Sequence, residues 1–127
     1  MKLRLPILAV LLAGAAGMSA AEAAGSVSAG KSIYASQCAL CHSNQPGGVG
    51  IGPSLAGVYG RPAAAQSNYD YSPAMKNAHL TWDAATLDKF LTSPQATVPG
   101  TKMPFAGIED AGKRADVIAY LASIAGK

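Results

Sequence analysis

The sequence predicts an all-α domain of short helices joined by long loops. Apolar residues recur at helical spacing in several segments, and glycine and proline interrupt a long stretch in the middle of the chain. Near the single cysteine pair there is no alternating or β-branched run that would indicate a strand. With two phenylalanines and one tryptophan among many alanines, the apolar core is small. We therefore expect the domain to wrap around a large apolar group.

The first 23 residues are typical of a secretory leader. Lys2 and Arg4 precede an apolar run over residues 5–16, and small residues follow it. We predict cleavage after Ala23, with Ala21 as the alternative. An uncleaved membrane anchor is the rival interpretation, but the run is too short to span a bilayer. Residues 24–127 then form one exported domain that is not stably inserted in a membrane.

The first predicted helix covers residues 28–38. Gly30, Ile33 and Tyr34 share one of its faces. Residues 43–68 follow as a loop, because glycines and prolines recur there too closely for regular structure.

Three further helices are predicted. Ser72 caps a short helix that starts at Pro73 and runs toward Asn77. Thr81 is the expected cap of the next helix, which ends at Ser93-Pro94, and the last helix covers residues 110–125. The apolar residues that face inward from the last two helices are Leu87, Phe90, Leu91, Val117, Tyr120, Leu121 and Ile124.

The stretch Cys38-Ala39-Leu40-Cys41-His42 carries the chemistry of the chain. It contains the only two cysteines, and a zinc site would also need His42 and His79 at a spacing that matches no common zinc pattern. One local cysteine pair does not make a disulfide scaffold. A redox dithiol and a covalent haem attachment site remain, and the lack of a βαβ pattern favours haem.

The charge pattern does not indicate nucleic acid as a partner. Residues 24–127 carry six lysines, two arginines and six acidic side chains, a formal net charge of +2. They contain no basic run.

A series of motifs runs in order along the chain: Gly30, Tyr34, Cys38-Ala-Leu-Cys41-His42, Gly52-Pro53-x-Leu55, Gly57-x-x-Gly60-Arg61, Tyr69-x-Tyr71-Ser72, Thr81-Trp82, Pro99-Gly100-Thr101-Lys102-Met103-Pro104-Phe105 and Tyr120-Leu121. This order resembles class I c-type cytochromes of the mitochondrial and bacterial type. The resemblance covers nearly all of residues 24–127. It implies a cytochrome c fold around one covalently attached haem c, with Gly30 at a close crossing of the first and last helices and Tyr34 against Tyr120.

The resemblance also implies the roles of the cysteine motif. Cys38 and Cys41 would form thioethers with the haem, and His42 would bind the iron through one ring nitrogen. The Pro53 carbonyl would hold the other ring nitrogen. Met103 would be the second axial ligand, a soft thioether that favours ferrous iron.

Other positions follow from the resemblance less directly. The polar partners that it implies for the haem propionates are Arg61, Tyr71 and Trp82, with Ser72 and Thr101 as weaker candidates. Met75 is expected to pack in the core. Phe90 and Met75 replace a tyrosine and an asparagine found in many relatives, which predicts a drier pocket near the methionine ligand.

The resemblance implies a monomeric electron carrier, not an enzyme, and the leader over residues 1–23 predicts a bacterial, periplasmic version. Its partners would be redox proteins: a membrane quinol-oxidising complex, a terminal oxidase, a reaction centre or a dehydrogenase. A haem subunit or dedicated acceptor of one periplasmic dehydrogenase is the main alternative, and a small haem peroxidase is a further one. The low net charge predicts a modest salt dependence of docking, with part of the contact surface apolar.

Overall fold

The computed structural model describes residues 25–124. In this range the chain forms helices α1 (Val27–Ile33), α2 (Pro73–Lys76), α3 (Ala84–Thr92), α4 (Pro94–Thr97) and α5 (Ala111–Ser123), and α1 continues directly into a π-helical segment, Tyr34–Cys38. The only β pairing within these residues is an isolated bridge between Pro62 and Thr81. The predicted all-α class of short helices and long loops is therefore confirmed. The predicted leader, its cleavage site and Ala125 lie outside the described residues.

Most helix starts follow the capping chemistry of the sequence. Ser72 caps α2 as predicted, since its Oγ accepts a hydrogen bond from the Met75 amide at 3.0 Å. Helix α1 starts one residue earlier than predicted, after Ser26, whose Oγ accepts from the Ala29 amide at 3.2 Å. The predicted Met75-containing helix is only one turn long.

The predicted cap of the third helix is wrong. Asp83, not Thr81, caps α3, and its Oδ1 accepts from the Thr86 amide at 2.8 Å. Thr81 is instead held in extended backbone by its bridge to Pro62. An ionised carboxylate at the first turn also interacts favourably with the helix dipole, which a threonine hydroxyl does less well.

A helix that the sequence did not predict follows α3. Ser93-Pro94 ends α3 as expected, but Ser93 then caps α4, with its Oγ accepting from the Ala96 amide at 3.3 Å. Pro94 occupies the first turn of α4, where its missing N–H costs nothing. Ser93-Pro94 therefore ends α3 and begins α4.

Helices α1 and α5 cross at close contact. A Cβ built on Gly30 would lie 1.9 Å from the Asp116 carbonyl oxygen, so only glycine allows this approach. The rings of Tyr34 and Tyr120 pack with centroids 5.1 Å apart. The predicted crossing at Gly30 is thus confirmed, and Val117, 1% exposed, lies beneath it.

Helix α3 completes the core, and the long loop closes over it. Phe90 of α3 packs edge-on against Trp82, with ring centroids 4.9 Å apart. The Gly57 amide donates to the Ile124 carbonyl at 2.9 Å, which ties the loop to the end of α5.

Among residues 25–124, no helix is both long and apolar enough to cross a membrane.

Candidate functional site

A largely apolar cavity of about 220 Å³ lies between the helices and the loops. Its walls bring together the cysteine motif, both methionines of the described chain and several aromatic rings. The predicted site residues that line it are Cys38, Cys41, His42, Pro53, Arg61, Tyr71, Ser72, Trp82, Thr101 and Met103. Residues that lie up to 65 positions apart in the sequence therefore face one space.

The backbone turns tightly at the cysteine motif. The Cys38 carbonyl accepts hydrogen bonds from the amides of Cys41 at 3.0 Å and His42 at 2.9 Å. This turn follows a π-helical segment, a rare geometry that is frequent at functional sites. It brings both sulfurs and the imidazole to the same wall of the cavity.

Both cysteines are free thiols in the structure. Burial raises the pKa of the Cys38 thiol to about 11, and the neighbouring Cys41 adds to this effect. Redox dithiols and other reactive cysteines need the opposite, a lowered pKa that favours the thiolate. The buried Cys38 thiol therefore gives no support to the dithiol interpretation.

The His42 ring is held in one orientation. Its Nδ1 lies 2.7 Å from the Pro53 carbonyl oxygen. Because a carbonyl only accepts, Nδ1 carries the proton and Nε2 keeps its lone pair. Burial lowers the pKa of His42, against a smaller opposite effect of the Pro53 carbonyl. The ring is thus a neutral imidazole with one free nitrogen, the form that binds metals.

Two neighbours constrain His42 further. The Tyr34 hydroxyl donates to the His42 carbonyl at 2.7 Å. Burial, and secondarily Cys38 and Tyr120, raises the pKa of Tyr34 to about 12, so this hydroxyl remains a donor. On the other side, the ring packs directly on the backbone of Gly52, where a Cβ would lie 2.5 Å from His42 Cε1.

Met103 lies in a loop that hydrogen bonds hold in shape. The Thr101 amide donates to the Val98 carbonyl at 3.0 Å, and Gly100 adopts φ +90°, which favours glycine. The Gln95 side-chain amide donates to the carbonyls of Thr101 at 3.0 Å and Met103 at 3.3 Å. These contacts place the half-buried Met103 side chain at the cavity wall.

A second contact anchors the same loop from outside. Lys102 Nζ donates to the Asp70 carbonyl at 2.6 Å and lies 3.4 Å from its carboxylate. Its ammonium group also lies 5.9 Å from the centre of the Tyr69 ring. The loop that presents Met103 is therefore tied to a segment more than 30 residues away.

Met75 also lines the cavity. It is buried in the core, 8% exposed, on the short helix α2, as the sequence predicted. Met103 differs because it sits on a loop without helical constraints on its side chain.

Arg61 offers an unpaired donor. Its Nη1 donates to the Ala56 carbonyl at 3.1 Å and its Nη2 to the Ser54 carbonyl at 3.4 Å. Its Nε is buried and has no hydrogen-bond partner among residues 25–124. Buried donors are rarely left unpaired. A cofactor with carboxylate groups in this cavity fits such a cation.

Three hydroxyl side chains of the cavity have partners within the chain as well. The Tyr71 hydroxyl accepts from the Gln66 amide at 3.2 Å. The hydroxyls of Ser72 and Thr101 accept from the amides of Met75 and Met103. All three retain an O–H that can donate to an anionic group.

Three contacts around the site are absent from the sequence predictions. The two hydrogen bonds from the Gln95 side chain to the Met103 loop come from α4, a helix that the sequence does not predict. The Lys102–Asp70 contact joins distant segments and has no sequence signal. The hydroxyl of Tyr34 was assigned to packing only, although a buried tyrosine hydroxyl usually has a hydrogen-bond partner.

Comparison with known proteins gives consistent matches. The family model described as cytochrome c matches residues 27–125. A cytochrome c2 of Rhodomicrobium vannielii is 47% identical over 106 residues, which cover 83% of this chain and 84% of that protein. A cytochrome c of Euglena viridis is 45% identical over 100 residues, which cover 79% of this chain and 98% of the relative.

The fold matches a solved structure as well. Cytochrome cH from Methylobacterium extorquens superposes with a TM-score of 0.73 at 43% sequence identity, over 78% of this chain and 99% of that one.

Proposed function

This chain belongs to the cytochrome c family, and we propose that it carries single electrons in the periplasm through a haem whose iron is bound by His42 and Met103. Members of this family are electron carriers with covalently attached haem c, and this chain is one of them. When bound, the haem supplies an iron that alternates between the ferric and ferrous states.

One observation carries the ligand assignment. Both cysteines, a neutral imidazole with a free Nε2 and the Met103 thioether all line the same apolar cavity. Cys38 and Cys41 are assigned the two thioether bonds, which keep the cofactor from dissociating. The raised pKa of Cys38 is a property of the free thiol and disappears once its sulfur is alkylated.

His42 would be one of the two ligands of the haem iron. The hydrogen bond from Nδ1 to the Pro53 carbonyl fixes the ring orientation and raises the basicity of the other nitrogen. The Tyr34 hydroxyl fixes the backbone of the same residue. A histidine held both at its ring and at its backbone needs little reorganisation when the charge beside it changes, which favours fast electron transfer.

Met103, rather than Met75, would be the other ligand of the haem iron. A thioether is a neutral, soft ligand and raises the reduction potential. The Gln95 and Lys102 contacts hold the Met103 loop while leaving its side chain at the cavity. Met75 is packed on a helix among core residues, where its role is volume filling.

The polar residues are assigned to the haem propionates. Arg61 has the strongest support, because its buried Nε lacks a partner within the described chain. Tyr71 and Trp82 follow, with the hydroxyls of Ser72 and Thr101 as additional donors. Paired in this way, the carboxylates avoid the cost of unpaired burial.

The periplasmic location rests on the predicted leader over residues 1–23. The partners proposed are a membrane quinol-oxidising complex, a terminal oxidase, a reaction centre or a dehydrogenase. The proposed mature chain starts at Ala24 and is a monomer.

Intact-mass spectrometry of the exported protein tests attachment and processing together. We expect the mass of residues 24–127 plus one haem, which acidified acetone does not extract. A mass equal to the polypeptide alone, or haem that acid-acetone extracts, contradicts the assignment of Cys38 and Cys41. If residues 1–23 are still present in the exported protein, only the prediction that they are cleaved off as a leader is contradicted.

A further inference from the structure

The loop that carries Met103 has few main-chain contacts of its own. Hydrogen bonds between main-chain groups hold it at its two ends, at the Thr101 amide and at the Ile108 amide. Between these ends, residues 102–107 neither donate nor accept a hydrogen bond between main-chain groups within the part of the chain that the structure describes. Pro104 also lacks an amide hydrogen. Side chains must therefore hold this loop in place.

One side chain from outside the loop reaches the main chain of Met103. Gln95 Nε2 donates to the Thr101 carbonyl at 3.0 Å and to the Met103 carbonyl at 3.3 Å. The side-chain amide has two N–H donors and both carbonyls can only accept, so the orientation of the amide is determined. Among residues 25–124, Gln95 is the only hydrogen-bond partner of the Met103 carbonyl.

The backbone that carries Gln95 is fixed independently of that loop. Gln95 is in α4 and follows Pro94, which is fully buried. The Thr97 hydroxyl lies 3.0 Å from the carbonyl oxygens of both Lys89 and Ser93, which joins α4 to the end of α3. Gln95 therefore extends from a fixed base to a loop that lacks main-chain contacts.

A second outside contact of the loop depends on charge. Lys102 Nζ donates to the Asp70 carbonyl at 2.6 Å, and it shares the exposed Asp70 carboxylate with Lys76. Contacts between exposed charged groups are screened by salt. This contact also holds the residue before Met103 and not the main chain of Met103 itself. The Gln95 amide is neutral, so its hydrogen bonds do not depend on ionic strength.

We propose that Gln95 is the positioning residue that keeps the Met103 loop closed, so that small ligands do not reach the iron. The inference rests on the proposed ligation by Met103 and concerns how that bond is retained. Without the two donors of Gln95, the Met103 main chain loses its contact to α4, and the loop opens more often. Gln95 acts through the main chain of Met103 and is not itself a ligand.

Binding of imidazole to the ferric holoprotein, followed by absorbance, tests the proposal. Imidazole is small and can occupy the iron only while the Met103 side chain is away from it. Its apparent affinity therefore rises in proportion to the fraction of molecules with an open loop. This readout differs from global stability: a side chain that only supports α4 would change the urea midpoint of unfolding and leave the imidazole affinity unchanged.

Two variants separate hydrogen bonding from packing. Gln95→Leu removes both donors at similar size. Gln95→Glu keeps the shape of the side chain but replaces the donors with a carboxylate that can only accept. The matched control is Gln45→Leu, because Gln45 is also exposed and its Nε2 donates at 3.2 Å to Asn44 Oδ1 in a different loop. Each protein is first checked for covalently bound haem and an unchanged far-UV circular dichroism spectrum.

Gln95→Leu should bind imidazole about tenfold more tightly than the wild type, the change expected from the loss of two modest neutral hydrogen bonds. Gln95→Glu should bind it more tightly still, because its carboxylate repels the two carbonyl oxygens. The control should match the wild type. The ratio between Gln95→Leu and the wild type should be the same at roughly 0.02 and 0.2 M salt, a range over which screening changes strongly.

Other outcomes separate this inference from the proposed ligation. Wild-type imidazole affinity in both variants, with the sulfur–iron absorbance intact, overturns the role of Gln95 and leaves the ligation by Met103 standing. Tighter binding in Gln95→Leu alone shows that packing and not hydrogen bonding closes the loop, and it overturns the proposal too. So does a ratio that changes severalfold with salt, because it assigns the effect to charged contacts. A wild type without the sulfur–iron absorbance overturns the ligation, and the inference with it.

Discussion

Replacement of Gly52 by alanine tests how tightly the proposed axial histidine is held. The added methyl carbon would lie 2.5 Å from His42 Cε1 and 2.8 Å from Nδ1, where ordinary contact begins at 3.4 Å. Gly52 does not have a positive φ, so alanine fits its backbone and the effect comes from the clash alone. The imidazole, the loop or both must move by about 0.9 Å.

The expected cost follows from two terms. Overpacking a filled site costs about 1–3 kcal/mol. A displacement of this size also takes the 2.7 Å contact between Nδ1 and the Pro53 carbonyl toward the limit of a hydrogen bond, whose net worth is about 1 kcal/mol. Together they predict a loss of about 2–4 kcal/mol in the free energy of unfolding. For a domain of this size, that lowers the melting temperature by about 10 °C or more.

Thermal unfolding of the ferric holoprotein, followed by circular dichroism, measures the effect. Gly112→Ala is the control, since Gly112 is exposed in the first turn of α5 and its added Cβ would lie 3.1 Å from Asp110 Oδ1, a much milder contact than the 2.5 Å at Gly52. The control should melt close to the wild-type temperature. If Gly52→Ala melts with the wild type, the close packing of ring and backbone does not matter, and the reasoning fails.

Three further substitutions test other contacts. Gly30→Ala places a methyl 1.9 Å from the Asp116 carbonyl oxygen and should lower the free energy of unfolding by about 3 kcal/mol in a urea titration; a wild-type midpoint contradicts the close crossing. Arg61→Met should lower stability by about 1–3 kcal/mol and shift the reduction potential, and an unchanged potential in voltammetry argues against the propionate role. Lys102 lowers the pKa of Asp70 in the folded state, so Asp70 stabilises the fold above its ordinary pKa of 3.8 and this contribution is lost as pH falls through the lower folded value. Asp70→Asn should therefore flatten the fall in urea midpoint below pH 3.8; a wild-type slope excludes this contribution, which is small because the carboxylate is fully exposed.

Much of the fold could be predicted because its signals are local. Apolar periodicity located α3 and α5, and the Ser72-Pro73 pair located α2. The error at Thr81 arose because a threonine and an aspartate two residues apart are both good caps. The long-range bridge to Pro62 decides between them, and no local rule contains that information.

The site divides in the same way. The cysteine motif and the Met103 loop are each one continuous stretch of sequence, so the order of the motifs along the chain was enough to predict that both line one cavity. The hydrogen bonds of Gln95 and the contact of Lys102 with Asp70 form only when separate segments of the chain pack together. The unpaired Nε of Arg61 can likewise be found only in the folded chain. The other two guanidinium nitrogens donate to the backbone carbonyls of Ala56 and Ser54.

Absorbance spectroscopy of two methionine variants tests the central claim, ligation by His42 and Met103, most directly. The ferric wild type should show the weak charge-transfer absorbance of a sulfur–iron bond, and the reduced protein should not bind carbon monoxide near neutral pH. Met75→Leu should keep both properties, because it nearly conserves volume in the core. Met103→Ala should lose the absorbance, lower the reduction potential and bind carbon monoxide. Loss of the sulfur–iron absorbance in Met75→Leu with its retention in Met103→Ala, or rapid carbon monoxide binding by the wild type, would contradict the account.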